Sequence, residues 1–330
     1  MLTMIPSTSL FLTTLISGTL ISLSSSQWLF IWAGLELNLL SFIPLITMGS
    51  FHKETEAAIK YFLMQALGST LLLLGGLMYK FSMYNDIILN LTPTVLFMSL
   101  LLKMGAAPAH MWFPHVMAAL SWPLCILLST WQKIAPLMII SSFNSSAMYL
   151  FIACFSALVG GLGGLNQSQL RPLLAYSSIG HLGWMMASLY INQSLMMTYL
   201  MVYITITFSI MYILYSSNLS SRTISSMKYM PTMLMIATLF LFMSLGGLPP
   251  MLGFYPKWMV MTTLASMGLI IFTSILLMGA LINLYYYMSV AMNIYLAKSQ
   301  IPSMSYNITQ LITMMGITLL GTSPTLIMLL

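Results

Sequence analysis

Apolar stretches of about helix-spanning length dominate the chain, broken by short clusters of Ser, Asn, Gly, Pro and isolated charges. A bilayer core about 30 Å thick takes about 20 apolar residues as a helix, and irregular backbone cannot face lipid. The pattern therefore predicts an all-α polytopic membrane protein of eleven transmembrane helices, near residues 5–23, 28–48, 56–79, 87–107, 122–142, 147–165, 172–190, 195–216, 231–266 (interrupted), 269–295 and 309–329. Residues 1–143 and 144–296 form two five-helix blocks, and 297–330 supply a loop and a last helix. The apolar N-terminus lacks the basic start and small-residue cleavage site of a signal peptide and reads as a retained first helix.

Composition sharpens this reading. The chain has 330 residues, of which 59% are hydrophobic and 4% charged, against about 25% charged in soluble domains. The net charge of +6 comes from cations scattered singly, which argues against nucleic acid. With eleven spans, Lys53, Arg171, Arg222, Lys228 and Lys298 fall on the side holding the N-terminus, so the positive-inside rule puts that end on the cytoplasmic or matrix side. Trp28, Trp112, Trp122 and Trp258 lie near predicted helix ends, where interface anchoring is the simplest role. Cys125 and Cys154 have neither CxxC spacing nor nearby His pairs, so a disulfide framework, zinc site or iron–sulfur ligand set is not expected.

A pattern G-x-x-P-x-x-x-x-F occurs at Gly105–Phe113 and again at Gly246–Phe254, offset by 141 residues, in the fourth helix of each block. An odd number of helices per block makes the second copy enter the membrane upside down, the inverted repeat of many transporters. Proline removes a helical hydrogen bond and clashes with the carbonyl four residues back. Pro108 is thus expected to free the carbonyl of Met104, and Pro249 and Pro250 those of Leu245 and Gly246. Pro136 should do the same to Gln132. Gly105, Pro108, Pro136, Gly246, Pro249 and Pro250 are the predicted helix breaks.

Four ionisable residues fall at membrane depth: Glu36 and Lys133 in mid-helix, Lys103 just before the first break and Lys257 just after the second. At about 2.5–3.5 kcal/mol each, they cost roughly 10–14 kcal/mol before pairing, more than packing alone explains. The plainer roles are a single hydrogen bond for a neutral Glu36 and snorkelling for Lys103 and Lys257. Desolvation disfavours the charged form of each group and a nearby opposite charge restores it, so small movements can move a proton. His181 occupies the second helix of its block, as Glu36 does, and is expected to be its counterpart, with a hydrogen-bonded core histidine as the alternative. His110, Tyr176 and Ser177 are secondary candidates. Glu56 and Lys60, spaced i to i+4, are expected to form an ordinary supporting ion pair.

The motifs Trp32-Ala-Gly-Leu-Glu36-Leu-Asn38, Thr55-Glu56-Ala-x-x-Lys60-Tyr-Phe-Leu, Lys103-Met-Gly-x-x-Pro-x-His110-x-Trp-x-Pro114, Trp131-Gln-Lys133-x-Ala-Pro136, Gly161-x-Gly-Gly-Leu-Asn166-Gln-x-Gln-Leu-Arg171, Ala175-Tyr-Ser-Ser-x-x-His181-x-Gly-Trp184 and Gly246-Gly-Leu-Pro249-Pro-x-x-Gly-Phe-x-Pro-Lys257-Trp258 span nearly the whole chain. Together they resemble the subunit 2 family of animal mitochondrial NADH:ubiquinone oxidoreductase, respiratory complex I. The resemblance implies a proton-translocating, antiporter-like membrane-arm subunit of the mitochondrial inner membrane, N-terminus in the matrix. NADH, flavin, iron–sulfur clusters and ubiquinone would be bound by other subunits. Neighbouring antiporter-like subunits and membrane lipids, cardiolipin among them, are the implied partners. The family's charged axis maps onto Glu36, Lys103, Lys133 and Lys257, with protons passing by way of His181. The bacterial members' three extra N-terminal helices are missing here. A cation/proton antiporter subunit and a non-conducting scaffold are the rival readings. GxGxxG, P-loop and HExxH signatures are absent, so catalysis belongs to this chain only within a complex.

Overall fold

A computed structural model describes residues 6–49, 52–81, 86–143, 147–217, 232–249 and 251–296. The described residues form helices and connecting turns, without β-strands. The chain falls into two compact units, Met1–Asn144 and Ser145–Leu330.

Unit one holds α1 (Pro6–Ser24), α2 (Trp28–Thr47), α3 (His52–Phe81), α4 (Asp86–Met104), α5 (Trp112–Ala119), α6 (Trp122–Ser129) and α7 (Trp131–Ser141). Unit two holds α8 (Met148–Leu165), α9 (Leu170–Ile191), α10 (Gln193–Ser216), α11 (Thr232–Gly246), α12 (Phe254–Ser266) and α13 (Ile270–Leu296). Among the described residues seven stretches are long and apolar enough to cross a membrane, one of them Trp122–Ile140, which runs through α6 and α7; Leu91–Met104 and Leu234–Gly246 are shorter apolar segments. The predicted eleventh helix, 309–329, lies outside the described residues, as do Arg222, Lys228, Lys298 and Pro250.

Three departures from the sequence reading concern helix breaks. The helix expected over 122–142 is two, α6 and α7, parted at Thr130 (φ −110°, ψ −68°) rather than at Pro136, which sits inside α7. The short α5, after the first break, was not foreseen: eight residues are too few for hydrophobic periodicity to register. Third, α11 stops on Gly247 (φ 82°), one residue past the predicted Gly246, while α4 stops on Gly105 (φ 70°), a predicted position; both stops precede the prolines of the motif. The amide of Ala106 bonds the carbonyl of Leu101, five residues back, and Leu248 bonds Met243 likewise. That is the Schellman stop, which needs a left-handed residue where only glycine is unstrained.

Helices in lipid gain little from hydrophobic burial against one another, so they approach through small residues. A methyl group on Gly18 would stand 2.8 Å from the Gly34 carbonyl oxygen and 2.9 Å from the Asn38 nitrogen. Gly160 of α8 meets the carbonyl of Tyr176 and the nitrogen of Gly180 in the same way. Each partner is displaced by 142 positions: Gly18 to Gly160, Gly34 to Tyr176, Asn38 to Gly180, and at the breaks Gly105 to Gly247. These glycine crossings and stops thus recur at an offset of 142 residues, one more than the proline pattern indicated. Apolar side chains such as Phe151, Phe155, Met201 and Ile271 face outward, while Lys103, Lys133, His181 and Lys257 are buried, the polarity expected of a chain solvated by lipid. Trp112 and Trp122 are core residues, at 6% and 5% exposure, rather than interface anchors; Trp258 is exposed.

Candidate functional site

In unit one, Lys103 lies in the last turn of α4, where helix carbonyls favour a cation. Its stem runs over Gly68 of α3, where a methyl group would come 2.9 Å from Cγ. The Lys103 ammonium is buried without a hydrogen-bond partner among the described residues, and it feels the charge of Glu36 on α2. Glu36 and Lys103 do not form a direct ion pair; the coupling is Coulombic, over more than the 4 Å of a salt bridge. Tyr61 of α3 is buried and lies in the same field.

The open end of α4 is closed by neutral donors. Gln65 Nε2 donates to the Lys103 carbonyl at 3.0 Å, and the Trp112 indole donates to the Leu102 carbonyl at 3.1 Å. The left-handed turn at Gly105 folds the chain back so that Phe113 Cβ lies 2.9 Å from where a methyl group would sit. The Phe113 ring then faces Lys133, whose Nζ is 5.1 Å from the ring centroid, within cation–π range. Lys133 is buried at 2% exposure in the first turn of α7, the positive end of that helix, so the aromatic face offsets an unfavourable placement. Beside it, Gln132 donates to Asn38 Oδ1 at 2.8 Å and ties α7 to α2.

In unit two, Lys257 on α12 reaches back across its break. Nζ donates to the carbonyls of Leu245 and Gly246, both at 2.9 Å, the two carbonyls the proline argument singled out. Its stem and ammonium rest on Gly247, where any side chain would collide. His181 on α9 is buried; its Nδ1 shares a 2.9 Å hydrogen bond with the Tyr199 hydroxyl, and its ring packs against Tyr203. At an offset of 142 residues Ser178 stands against Glu36 and Tyr203 against Tyr61; Ser178 meets Tyr203, and His181 sits one turn further along α9.

Of the secondary candidates, His110 is half-buried in the first break, its ring turned to the Pro108 carbonyl at 3.1 Å. Tyr176 packs on Gly163 of α8, while Ser177 faces Tyr286 and Tyr287. Glu56 and Lys60 form the expected pair at 2.6 Å on an exposed face. Both cysteines are free thiols, and no metal-holding group of His, Cys, Asp and Glu occurs among the described residues. Sequence reasoning missed Gln65, Phe113, Tyr199, Tyr203, Tyr286 and Tyr287. Gln65 was detectable as a lone amide in an apolar helix; the aromatic residues blend with ordinary core.

Buried lysines beside interrupted helices define an ion-coupled membrane protein of the antiporter type, and the comparisons agree. The family described as NADH:quinone oxidoreductase/Mrp antiporter, transmembrane, matches residues 25–283. The chain is 42% identical over 293 residues to NADH-ubiquinone oxidoreductase chain 2 of Lumbricus terrestris, covering 86% of each, and 42% identical to the same chain of Dasypus novemcinctus, covering 83% and 82%. A chain of respiratory complex I from Thermus thermophilus superposes with a TM-score of 0.86 at 24% identity, over 97% of this chain and 78% of that one. A chain of the Mrp complex from Dietzia superposes at 0.77, with 15% identity over 90% and 61%. The protein belongs to the NADH-ubiquinone oxidoreductase chain 2 family.

Proposed function

We propose that the chain translocates protons as an antiporter-like membrane-arm subunit of respiratory complex I, through Glu36, Lys103 and Lys133 in unit one and His181 and Lys257 in unit two. The observation that carries this reading is Lys103: a buried ammonium with no hydrogen bond, set beside an acid it does not touch. A cation held only by Coulomb attraction responds to small displacements, because at an effective dielectric near 20 two charges about 4 Å apart interact by about 4 kcal/mol, falling inversely with distance. When quinone reduction elsewhere alters the charge state of the arm, Glu36 shifts its hold on Lys103, and Lys103 exchanges a proton with water and Lys133.

The two units form an inverted repeat in this reading. The shared 142-residue register of the small-residue crossings and glycine stops supports it. Neighbouring antiporter-like subunits and lipids, cardiolipin included, surround the chain in the mitochondrial inner membrane. The N-terminus faces the matrix. The redox groups belong to partner subunits.

Lys103→Ala and Lys133→Ala are expected to lower proton pumping and coupled NADH oxidation together in the assembled complex. An unchanged proton-to-electron ratio in both variants contradicts the path.

A further inference from the structure

Unit two carries more buried hydroxyl chemistry than the lysine and histidine of the path use. Tyr199 and Tyr203 of α10 and Tyr286 and Tyr287 of α13 are all at most 3% exposed. The rings of Tyr286 and Tyr287 meet edge to face, 4.6 Å between centroids. Ser177, whose own hydroxyl donates to the Leu174 carbonyl at 2.8 Å, lies beside both of their hydroxyls, although neither tyrosine hydroxyl completes a hydrogen bond of ordinary geometry. Tyr287 lies within electrostatic reach of Tyr199 and of Tyr203, and Tyr203 meets Ser178. Tyr199 in turn holds His181 Nδ1. The Asn283 amide, one turn before the tyrosine pair, presses against Gly180, and its Oδ1 is buried without a partner.

Buried polar groups are normally satisfied, and orphaned ones in a cluster mark a place with work to do or water to hold. The cluster also has a direction. Tyr286 packs on Gly164, in the last turn of α8, where a methyl group would meet its ring at 2.6 Å. Ser177 lies one turn nearer the start of α9 than His181.

We propose that Tyr286, Ser177, Tyr287 and Tyr199 form a hydroxyl path that carries protons between the α8–α9 end of unit two and His181. Every member is both donor and acceptor. A proton arriving on a hydroxyl oxygen is matched by departure of the one that oxygen held, so each tyrosine ends neutral, and the net transfer is one proton to or from the His181 imidazole. Asn283 positions the tyrosine pair and its water without taking a proton. The path rests on the reading of His181 as a proton carrier.

Tyrosine-to-phenylalanine changes keep the rings and remove the hydroxyls. In the assembled complex, Tyr199→Phe and the double variant Tyr286→Phe/Tyr287→Phe are expected to lower proton pumping several-fold per electron, with Tyr212→Phe on the exposed face as the unaffected control. His181→Gln is measured alongside. A fall in all three supports the path. Normal pumping in the tyrosine variants with a fall in His181→Gln overturns the path and leaves His181 in place; normal pumping throughout overturns both. A fall in the tyrosine variants with a normal His181→Gln also overturns it, because the hydroxyls then do not serve His181. If the double variant assembles poorly, the two single changes decide by the same criteria.

Discussion

The two helix breaks are the same backbone device put to different use. Both α4 and α11 stop on a left-handed glycine with the same five-residue back-bond. In unit one, neutral donors, Gln65 and Trp112, close the carbonyl end, and Lys103 is left with its ammonium unbonded. In unit two the carbonyl end is closed by a lysine, Lys257, whose ammonium is thereby committed. In the proposed path, closing the broken helix with amide and indole groups leaves Lys103 free for charge movement, while closing it with Lys257 itself would couple proton loss there to the integrity of the break.

The largest contrast is expected from Lys257→Met against Lys103→Met. Losing the donor to two buried carbonyls should cost roughly 2–6 kcal/mol, at about 1–3 kcal/mol per unsatisfied group, whereas Lys103→Met removes an unbonded buried charge and should leave stability unchanged or raised. Thermal unfolding of the assembled complex measures this, and equal losses would erase the distinction. Gly105→Ala comes next: about 1–2 kcal/mol for the left-handed backbone, plus displacement of Phe113 from Lys133, read as lowered pumping. Gln65→Leu strips the donor from the Lys103 carbonyl at about 1–3 kcal/mol and should leave the Lys257 side of the contrast untouched. Gly68→Ala is the mildest, a methyl group that pushes the Lys103 stem, expected to slow pumping with little loss of stability.

Much of this was legible in the sequence because lipid makes the rules strict. Helix length, the burial of Lys103, Lys133 and Lys257, and the carbonyls of Leu245 and Gly246 follow from the absence of water in hydrocarbon, whereas Glu36, expected at the same depth, is half-buried on α2. Gly105 and Gly246 were named as breaks beside the prolines, but the left-handed stop of α11 falls on Gly247, a turn that leaves no hydrophobic signature. The one-residue difference moves the match of Glu36 from Ser177 to Ser178, and His181 lies one turn beyond either. Phe113 closes the Gly-to-Phe pattern that Gly105 opens, but its place beneath Lys133 of α7 is a tertiary contact that the pattern does not encode.

The most direct test is a high-resolution density map of the chain in its native complex, at a resolution that shows ordered water between Glu36, Lys103 and Lys133. A continuous row of water joining the three side chains is the predicted result. Dry apolar packing between Glu36 and Lys103, with each turned to a separate partner, would contradict proton transfer through unit one.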